Sequence, residues 1–153
     1  MRFQVLAGAL VVSLVASGLA LAGMRSGDAA RPDLIVSSVS APDGSVVFQG
    51  HSFQVRDSTR NIGSVSARAT MTQYYLSANG HRTAAGRRSL ARLRSHRSSA
   101  GSATATAPET LELGSYSLVA CADGAKAARE TNERNNCRTA ATKVFVKKPP
   151  PPV

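Results

Sequence analysis

Between residues 32 and 146 the chain is a succession of short segments rich in β-branched and aromatic residues, and turn-forming residues separate them. The clearest segment, ATMTQYYLSA at 69–78, ends at Asn79-Gly80, the dipeptide most typical of a two-residue hairpin turn. Such segments recur at regular spacing without a long helical period, which predicts an all-β, immunoglobulin-like antiparallel β-sandwich of about seven strands. The predicted strands are 32–40, 45–48, 51–59, 69–78, 99–108, 114–123 and 137–146, and segment 87–93 is either a further strand or a short helix.

Two of these strands carry unusual faces. On 51–59, one face begins with apolar residues and continues with Asp57 and Thr59, so we expect only its first half to be buried. Segment 99–108 alternates small residues with threonine, a composition that predicts an exposed edge strand.

The first 30 residues have the pattern of an export signal. Arg2 is a positive start, residues 3–22 carry no charge, and Ala-Leu-Ala at 20–22 is an A-x-A cleavage site, with a second small-residue site ending at Ala30. The uncharged run is also about long enough to span a bilayer, so an uncleaved membrane anchor is the alternative. Both alternatives predict a secreted or cell-surface protein with a signal or anchor at 1–22, a β-sandwich at 32–146 and a stiff, solvated proline-rich tail at 147–153.

Cys121 and Cys137, the only two cysteines, are separated by fifteen residues. In an exported protein such cysteines pair, and the spacing matches neither a C-x-x-C redox motif nor a four-ligand zinc site. Alternation places Tyr116, Leu118 and Ala120 on one face of their strand and Cys121 on the other. We therefore expect a disulfide on the outer face of one sheet, closing the last hairpin and contributing about 3 kcal/mol in the chain-entropy model. Such a bridge suits a domain with only 5% aromatic residues, whose core is thin.

The formal net charge is +10, and its densest block at 81–97 contains six arginines and no acidic residue. Two alternatives stay open: the block binds an anionic envelope polymer or lipid head groups, or it is the ordinary basic surface of a secreted protein. No aromatic residue is interleaved for base stacking, and export separates the chain from genomic DNA, so no nucleic-acid partner is expected. Beyond the head-group alternative, a membrane is expected as a partner only through an uncleaved N-terminal segment. The candidate polyanion-binding residues are Arg82, Arg87, Arg88, Arg92, Arg94 and Arg97.

The segment between the cysteines is rich in oxygen donors, namely Asp123, Glu130, Glu133, Asn135 and Asn136. Calcium prefers such ligands, although their spacing does not match an EF-hand loop. The alternative is that these side chains cap turns and that the glutamates pair with neighbouring lysine and arginine residues. Because basic residues in and beside the loop offset its acids, we predict no metal or other cofactor, and calcium remains the alternative to test.

The sequence contains no recognisable catalytic motif. His51, His81 and His96 lie in separate turns or basic runs, and no nucleophile elbow, zinc-binding helix or phosphate-binding glycine loop occurs. We therefore expect a non-enzymatic protein. Adjacent Tyr74 and Tyr75 must face opposite sides of their strand, so the outward one is either a binding aromatic or an ordinary surface residue.

Four segments follow one another in this order: PDLIVSSVS, RNIGSVSA, YYLSANG and LGSYSLVACADGAKAARETNERNNC. The most specific part is E-x-N-E-x-N-N, from Glu130 to Asn136, which follows a strand containing Gly114-x-Tyr116 and the pair Ala122-Asp123. Pro32-Asp33-Leu34 and Asn61-x-Gly63 agree with it. Together these segments resemble the CARDB domain, the "cell adhesion related domain found in bacteria", over about residues 32–146.

The resemblance implies an immunoglobulin-like sandwich on bacterial surface or secreted proteins, with a role in adhesion or binding and without catalytic activity. It leaves the partner, a surface protein, a carbohydrate or an anionic polymer, undefined. The chain departs from the family pattern at LRSHRSS (93–99), where such domains often carry a Pro-Gly turn. It also carries one such domain, whereas these domains often occur in tandem or beside enzymes.

Overall fold

The computed structural model describes residues 29–41 and 46–153, which form eight β-strands. The export signal or anchor predicted at 1–22 lies outside the described residues. Within them, no helix is long and apolar enough to cross a membrane. The strands are β1 (Leu34–Ser40), β2 (Val46–Phe48), β3 (Ser52–Asn61), β4 (Thr70–Ala78), β5 (His81–Leu90), β6 (Ser98–Thr106), β7 (Gly114–Cys121) and β8 (Cys137–Lys147).

All eight strands belong to one hydrogen-bonded sheet in the order β1-β3-β6-β5-β4-β7-β8-β2. Neighbouring strands are antiparallel except β2 and β8, which are parallel. The sheet curls so that β1 lies against β7 and β8. The predicted all-β class is confirmed. The strands form one sheet and not the two separate sheets of a sandwich, because β6 pairs with β5 at Ala105 and Gly86 and so joins β1-β3-β6 to the other five strands.

Apolar side chains on alternate strand positions fill the space inside the curled sheet, as the two-residue period of a strand requires. Leu76 and Leu118 are fully buried there, on β4 and β7. The expectation for the face of β3 is wrong in its second half, because Asp57 and Thr59 are buried as deeply as the apolar residues before them. Buried hydrogen bonds, described below, make this arrangement stable.

The hairpin predicted at Asn79-Gly80 is confirmed, since both residues have the positive φ angles, 51° and 78°, that a type I′ turn requires. Its second strand, β5, was only partly predicted from the sequence, because Ala85 bulges between Ala84 and Gly86, the partners of Tyr75 and Tyr74, and interrupts the alternation of β5. The exposure predicted for 99–108 agrees with the structure, since all but one residue of β6 is exposed or half-buried, but the predicted edge position is wrong. The strand β6 pairs along its length with β3 and, through Ala105, with β5.

Candidate functional site

One end of the domain, which we call the β1 end, gathers residues 29–33 and the loops at 62–69, 91–97 and 122–136. Antiparallel pairing brings these segments together, because β1, β4, β6 and β8 begin here while β3, β5 and β7 end here. The Pro32-Asp33-Leu34, Asn61-x-Gly63 and E-x-N-E-x-N-N motifs therefore all lie at the same end of the molecule.

Asn61 is fully buried at the centre of the β1 end. Its Oδ1 accepts hydrogen bonds from the backbone N–H groups of Asp33 (3.1 Å) and Gly63 (3.0 Å). Its Nδ2 donates to the carbonyl oxygens of Val65 (2.8 Å) and Leu93 (3.1 Å). A single amide side chain thus ties the start of β1 to two of the three loops, and all of its hydrogen-bonding groups are used.

Gly63 lies against the backbone that precedes β1. A Cβ atom at this position would lie 2.5 Å from backbone atoms of Arg31, Pro32 and Asp33. Because those atoms are main chain, they cannot move aside as a flexible side chain could. The glycine of the Asn61-x-Gly63 motif is therefore required by close backbone approach.

The third loop is tied to the start of β1 by its own motif residues. Glu130 accepts hydrogen bonds from the backbone N–H of Leu34 and from Nδ2 of Asn136. Asn135 donates from Nδ2 to the Asp33 carboxylate at 2.9 Å. Burial, with contributions from the nearby Asp123 and Glu133 carboxylates, raises the pKa of Glu130 to about 7, although its two hydrogen bonds act in the opposite direction.

Three acidic residues of the same loop form a cluster: Asp123, Glu130 and Glu133 each place a carboxylate oxygen within 4.8 Å of the others. Asn135, the fourth candidate calcium ligand, instead contacts Asp33. Asp123 accepts hydrogen bonds from the N–H groups of Ala127 and Ala128, so it does cap a turn.

The glutamates do not form the ion pairs with neighbouring basic residues that the sequence suggested. Glu133 accepts a hydrogen bond from the backbone N–H of Glu130, and Glu130 is itself buried. Within residues 29–41 and 46–153, the one ion pair is that of Asp57 with Arg88. Buried backbone N–H groups therefore take the place of the expected lysine and arginine partners.

The disulfide joins Cys121 and Cys137, which face each other across β7 and β8. It lies within one sheet, as strand alternation predicted. Arg82 covers it from the outer face, with Nη1 3.7 Å and 3.8 Å from the two sulfur atoms, and its guanidinium also lies 5.9 Å from the ring centre of Tyr75. Tyr75 is thus the outward tyrosine of its pair, and Tyr74 is buried in the core.

The arginine block at 81–97 is not one surface. Arg82 and Arg87 are exposed on the outer face of β5, whereas Arg92, Arg94 and Arg97 are exposed in the loop of the β1 end. Successive residues of a strand point to opposite faces, so Arg88 points inward where Arg87 points outward. The prediction that Arg88 binds a polyanion is therefore wrong, because its side chain is only 12% exposed and forms an internal ion pair.

Arg88 and Asp57 form a buried polar network at the seam between β5 and β6. The guanidinium donates to both Asp57 oxygens, from Nε at 2.7 Å and Nη2 at 2.8 Å, and Nη2 also donates to the Ser99 carbonyl at 3.0 Å. The Tyr74 hydroxyl donates to the same carboxylate. Burial and the adjacent Asp57 raise the pKa of Tyr74, and the hydrogen bond to Asp57 raises that of Arg88. These side chains thus connect strands whose backbones pair at a single position.

The raised pKa of Glu130 predicts that stability falls as pH rises from about 4.5 to about 7. The folded state binds more protons than the unfolded state in this interval, so the stabilisation is complete below the unfolded pKa and is lost as pH passes the folded one. Urea unfolding at a series of pH values measures the slope. Glu130→Gln is expected to flatten it, and an unchanged slope in that variant contradicts the assignment.

The buried residues Asp33, Asp57 and Asn61 were not identified as interacting residues from the sequence. The motifs containing Asp33 and Asn61 were visible, but the hydrogen bond between them joins positions 28 residues apart. For Asp57 the available signal was its place on the face of β3 that begins with apolar residues. A polar residue at such a position needs a buried partner.

The fold and the β1 end define a small, all-β, immunoglobulin-like domain whose loops at one end are fixed by buried polar side chains. A sequence model of the CARDB family matches residues 31–140, well over half of the chain. The chain belongs to the CARDB family, a cell-adhesion-related domain of bacteria.

Solved structures similar to the chain include a CARDB domain from Pyrococcus furiosus in complex with di-metal ions. It is 23% identical, with a TM-score of 0.54, over 76% of this chain and 90% of that chain. A β-glucosidase from Erythrobacter marinus is 14% identical, with a TM-score of 0.52, over 76% of this chain but only 16% of the enzyme. These likenesses concern the fold alone. A search of curated proteins found no significant match.

Proposed function

We propose that the chain is a non-enzymatic binding or adhesion module of an exported bacterial protein, and that the β1 end is its binding surface. The observation that carries the proposal is the hydrogen-bonded network of Asn61, Asp33 and Glu130, which holds three loops against the start of β1. Loops on a rigid scaffold are where binding residues of β-sandwich domains concentrate. The family resemblance to cell-adhesion-related domains supports the same function.

Saturable attachment to the cell envelope tests this function. The labelled exported protein is added to washed cells of a strain that lacks it, and bound label is measured with and without excess unlabelled protein. We expect binding that saturates and is competed. Binding that does not saturate, or that a charge-matched immunoglobulin-like domain reproduces, contradicts the proposal.

A basic partner-binding block at 81–97 was the alternative function, and the structure supports only part of it. The exposed Arg82 and Arg87 remain on the outer face of β5, but Arg88 is internal and the other three arginines lie in the β1 end. The exposed arginines of the β1 end therefore form a better candidate site for an anionic partner than the block 81–97 as a whole.

A cation at Asp123, Glu130 and Glu133 is the second candidate function. The observation favouring it is the convergence of three carboxylates, near which Oδ1 of the buried Asn136 has no hydrogen-bond partner among the described residues. An oxygen-only donor set suits a hard cation such as calcium. Calorimetric titration with calcium above pH 7, where Glu130 is ionised, tests it. Heat that Glu130→Gln abolishes supports a site, and absence of heat excludes calcium.

A further inference from the structure

The β1 end carries an excess of basic over acidic residues. Its four segments contain eight basic and four acidic residues. The loop at 91–97 contributes three arginines, and the loop at 122–136 contributes Lys126, Arg129 and Arg134. Arg31 and Arg68 come from the other two segments, and all eight basic residues except the half-buried Arg31 are exposed.

The acidic residues of this end do not offset that charge at its surface. Asp33, Asp123 and Glu130 are buried and accept hydrogen bonds within the domain, so Glu133 is the one exposed acid in these four fully described segments. None of the basic residues here forms an ion pair within residues 29–41 and 46–153. The surface at the β1 end is therefore strongly positive.

Five of the basic residues line three neighbouring shallow depressions, of which the first shares Ser64 with the second and Ser66 with the third. Arg92 and Arg94 line the first, Arg31 the second, and Arg68 with Arg129 the third. The backbones of Leu93 and Ala67 form two hydrogen bonds with each other, one from each N–H group, and the Leu93 side chain is buried. Alternation then directs Arg92 and Arg94 outward on either side of it. This surface is assembled from four chain segments, so no linear block of sequence reveals it.

The difference in charge between the two ends of the domain, and the end at which the N-terminal segment joins it, indicate what this positive surface faces. At the opposite end, the loop between β6 and β7 contains Glu109 and Glu112, and Lys147 and Lys148 at the end of β8 offset their charge. The uncharged run at 3–22 joins the domain at the β1 end, where Ala29 lines the same depression as Arg31. The seven residues from 23 to 29 span at most about 25 Å when extended. A run held in a membrane therefore keeps the positive β1 end, and not the opposite end, beside the lipid head groups.

We propose that the β1 end docks against the anionic phospholipid head groups of a membrane surface, with Arg92, Arg94, Arg68 and Arg129 as its principal contacts. The inference rests on the proposed function, a binding module at the cell surface, and names the ligand. Phosphate groups are well matched to guanidinium donors, and serine hydroxyls between the arginines add further donors.

Cosedimentation with vesicles tests the proposal. The exported protein, with the N-terminus it carries after export, is mixed with vesicles of equal parts phosphatidylglycerol and phosphatidylcholine, or of phosphatidylcholine alone. The affinity for the anionic vesicles is divided by the affinity for phosphatidylcholine vesicles, so that a retained apolar anchor, which contributes to both, cancels. We expect Arg92→Ser with Arg94→Ser to lower this ratio about 30-fold, since each basic residue near an anionic surface contributes about fivefold. High salt is expected to abolish the preference for anionic vesicles.

The matched control is Lys147→Ser with Lys148→Ser, which removes the same charge from exposed positions at the far end of β8. It is expected to change the ratio less than about threefold, because these lysines lie at the end of the domain opposite the β1 end. Equal losses in both variants, or no preference for anionic vesicles, overturn the proposal. Binding to soluble polyphosphate without binding to vesicles also overturns it and points to a polymer. If the vesicle results overturn the proposal but the protein still attaches saturably to cells, the proposed function is retained and only the lipid ligand is rejected.

Discussion

Arg88→Met is expected to lower the free energy of unfolding by about 3–5 kcal/mol, because it leaves the buried Asp57 carboxylate without its ionic partner. That carboxylate is fully buried, and Arg88 supplies two of its hydrogen bonds. The variant also removes the bond from Arg88 to Ser99 that connects β5 to β6. Equilibrium urea unfolding measures the loss.

Arg87→Met is the matched control, since the neighbouring arginine is exposed on the opposite face of the same strand. It is expected to change stability by less than about 0.5 kcal/mol. Replacing the whole network, Asp57→Leu with Arg88→Met and Tyr74→Phe, is expected to restore part of the loss, because no buried charge is then left unpaired. If the Arg88→Met variant is as stable as the parent protein, the ion pair of Arg88 with Asp57 has no structural role.

Asn61→Ala is expected to cost about 3–5 kcal/mol, since it leaves buried N–H groups of Asp33 and Gly63 and buried carbonyl groups of Val65 and Leu93 without their partner. The loops at 62–69 and 91–97 should then exchange their amide hydrogens faster than the strands do. Urea unfolding gives the stability, and hydrogen exchange followed by mass spectrometry gives the loop mobility.

Asn132→Ala provides the control at the same end of the domain. Asn132 is exposed, and its Oδ1 caps the backbone N–H of Arg134 at 3.0 Å. Its loss is expected to cost less than about 1 kcal/mol and to leave the other loops unchanged. A cost for Asn61→Ala as small as that of Asn132→Ala contradicts a central role for Asn61.

Local signals in the sequence were sufficient for much of the fold. Strand periodicity predicted the all-β class, and Asn79-Gly80 placed the central hairpin because positive φ is needed at both turn positions. Parity alone put the disulfide on the outer face of one sheet, since Cys121 alternates with the buried Leu118 and Ala120. These features depend on residues that are close together along the chain, so the sequence alone was sufficient to predict them.

The features that were missed depend on contacts between distant segments. Arg88 looked like its exposed neighbours until β5 was paired with β4 and its inward face was defined. Asp57 looked like the start of an exposed half-strand, because its partners Arg88 and Tyr74 lie 31 and 17 positions away. The basic surface of the β1 end likewise joins Arg31, Arg68 and Arg129 to the visible block, and only the topology brings them together.

The E-x-N-E-x-N-N motif now has a physical explanation. Glu130 and Asn135 hold the start of β1, and Asn136 holds Glu130. Asp123 orders the same loop through its backbone, so the acids that suggested calcium are used to position loops. A motif that first suggests ligand chemistry thus maintains the shape of the proposed binding surface.

The most direct measurement is hydrogen–deuterium exchange of the protein, free and bound to washed cells of a strain that lacks it or to anionic vesicles. We expect protection on binding in the loops at 62–69, 91–97 and 122–136, with no change in the hairpin at 79–82 or the loop at 107–113. Protection confined to the hairpin and the loop at the opposite end would show that the β1 end is not the binding surface.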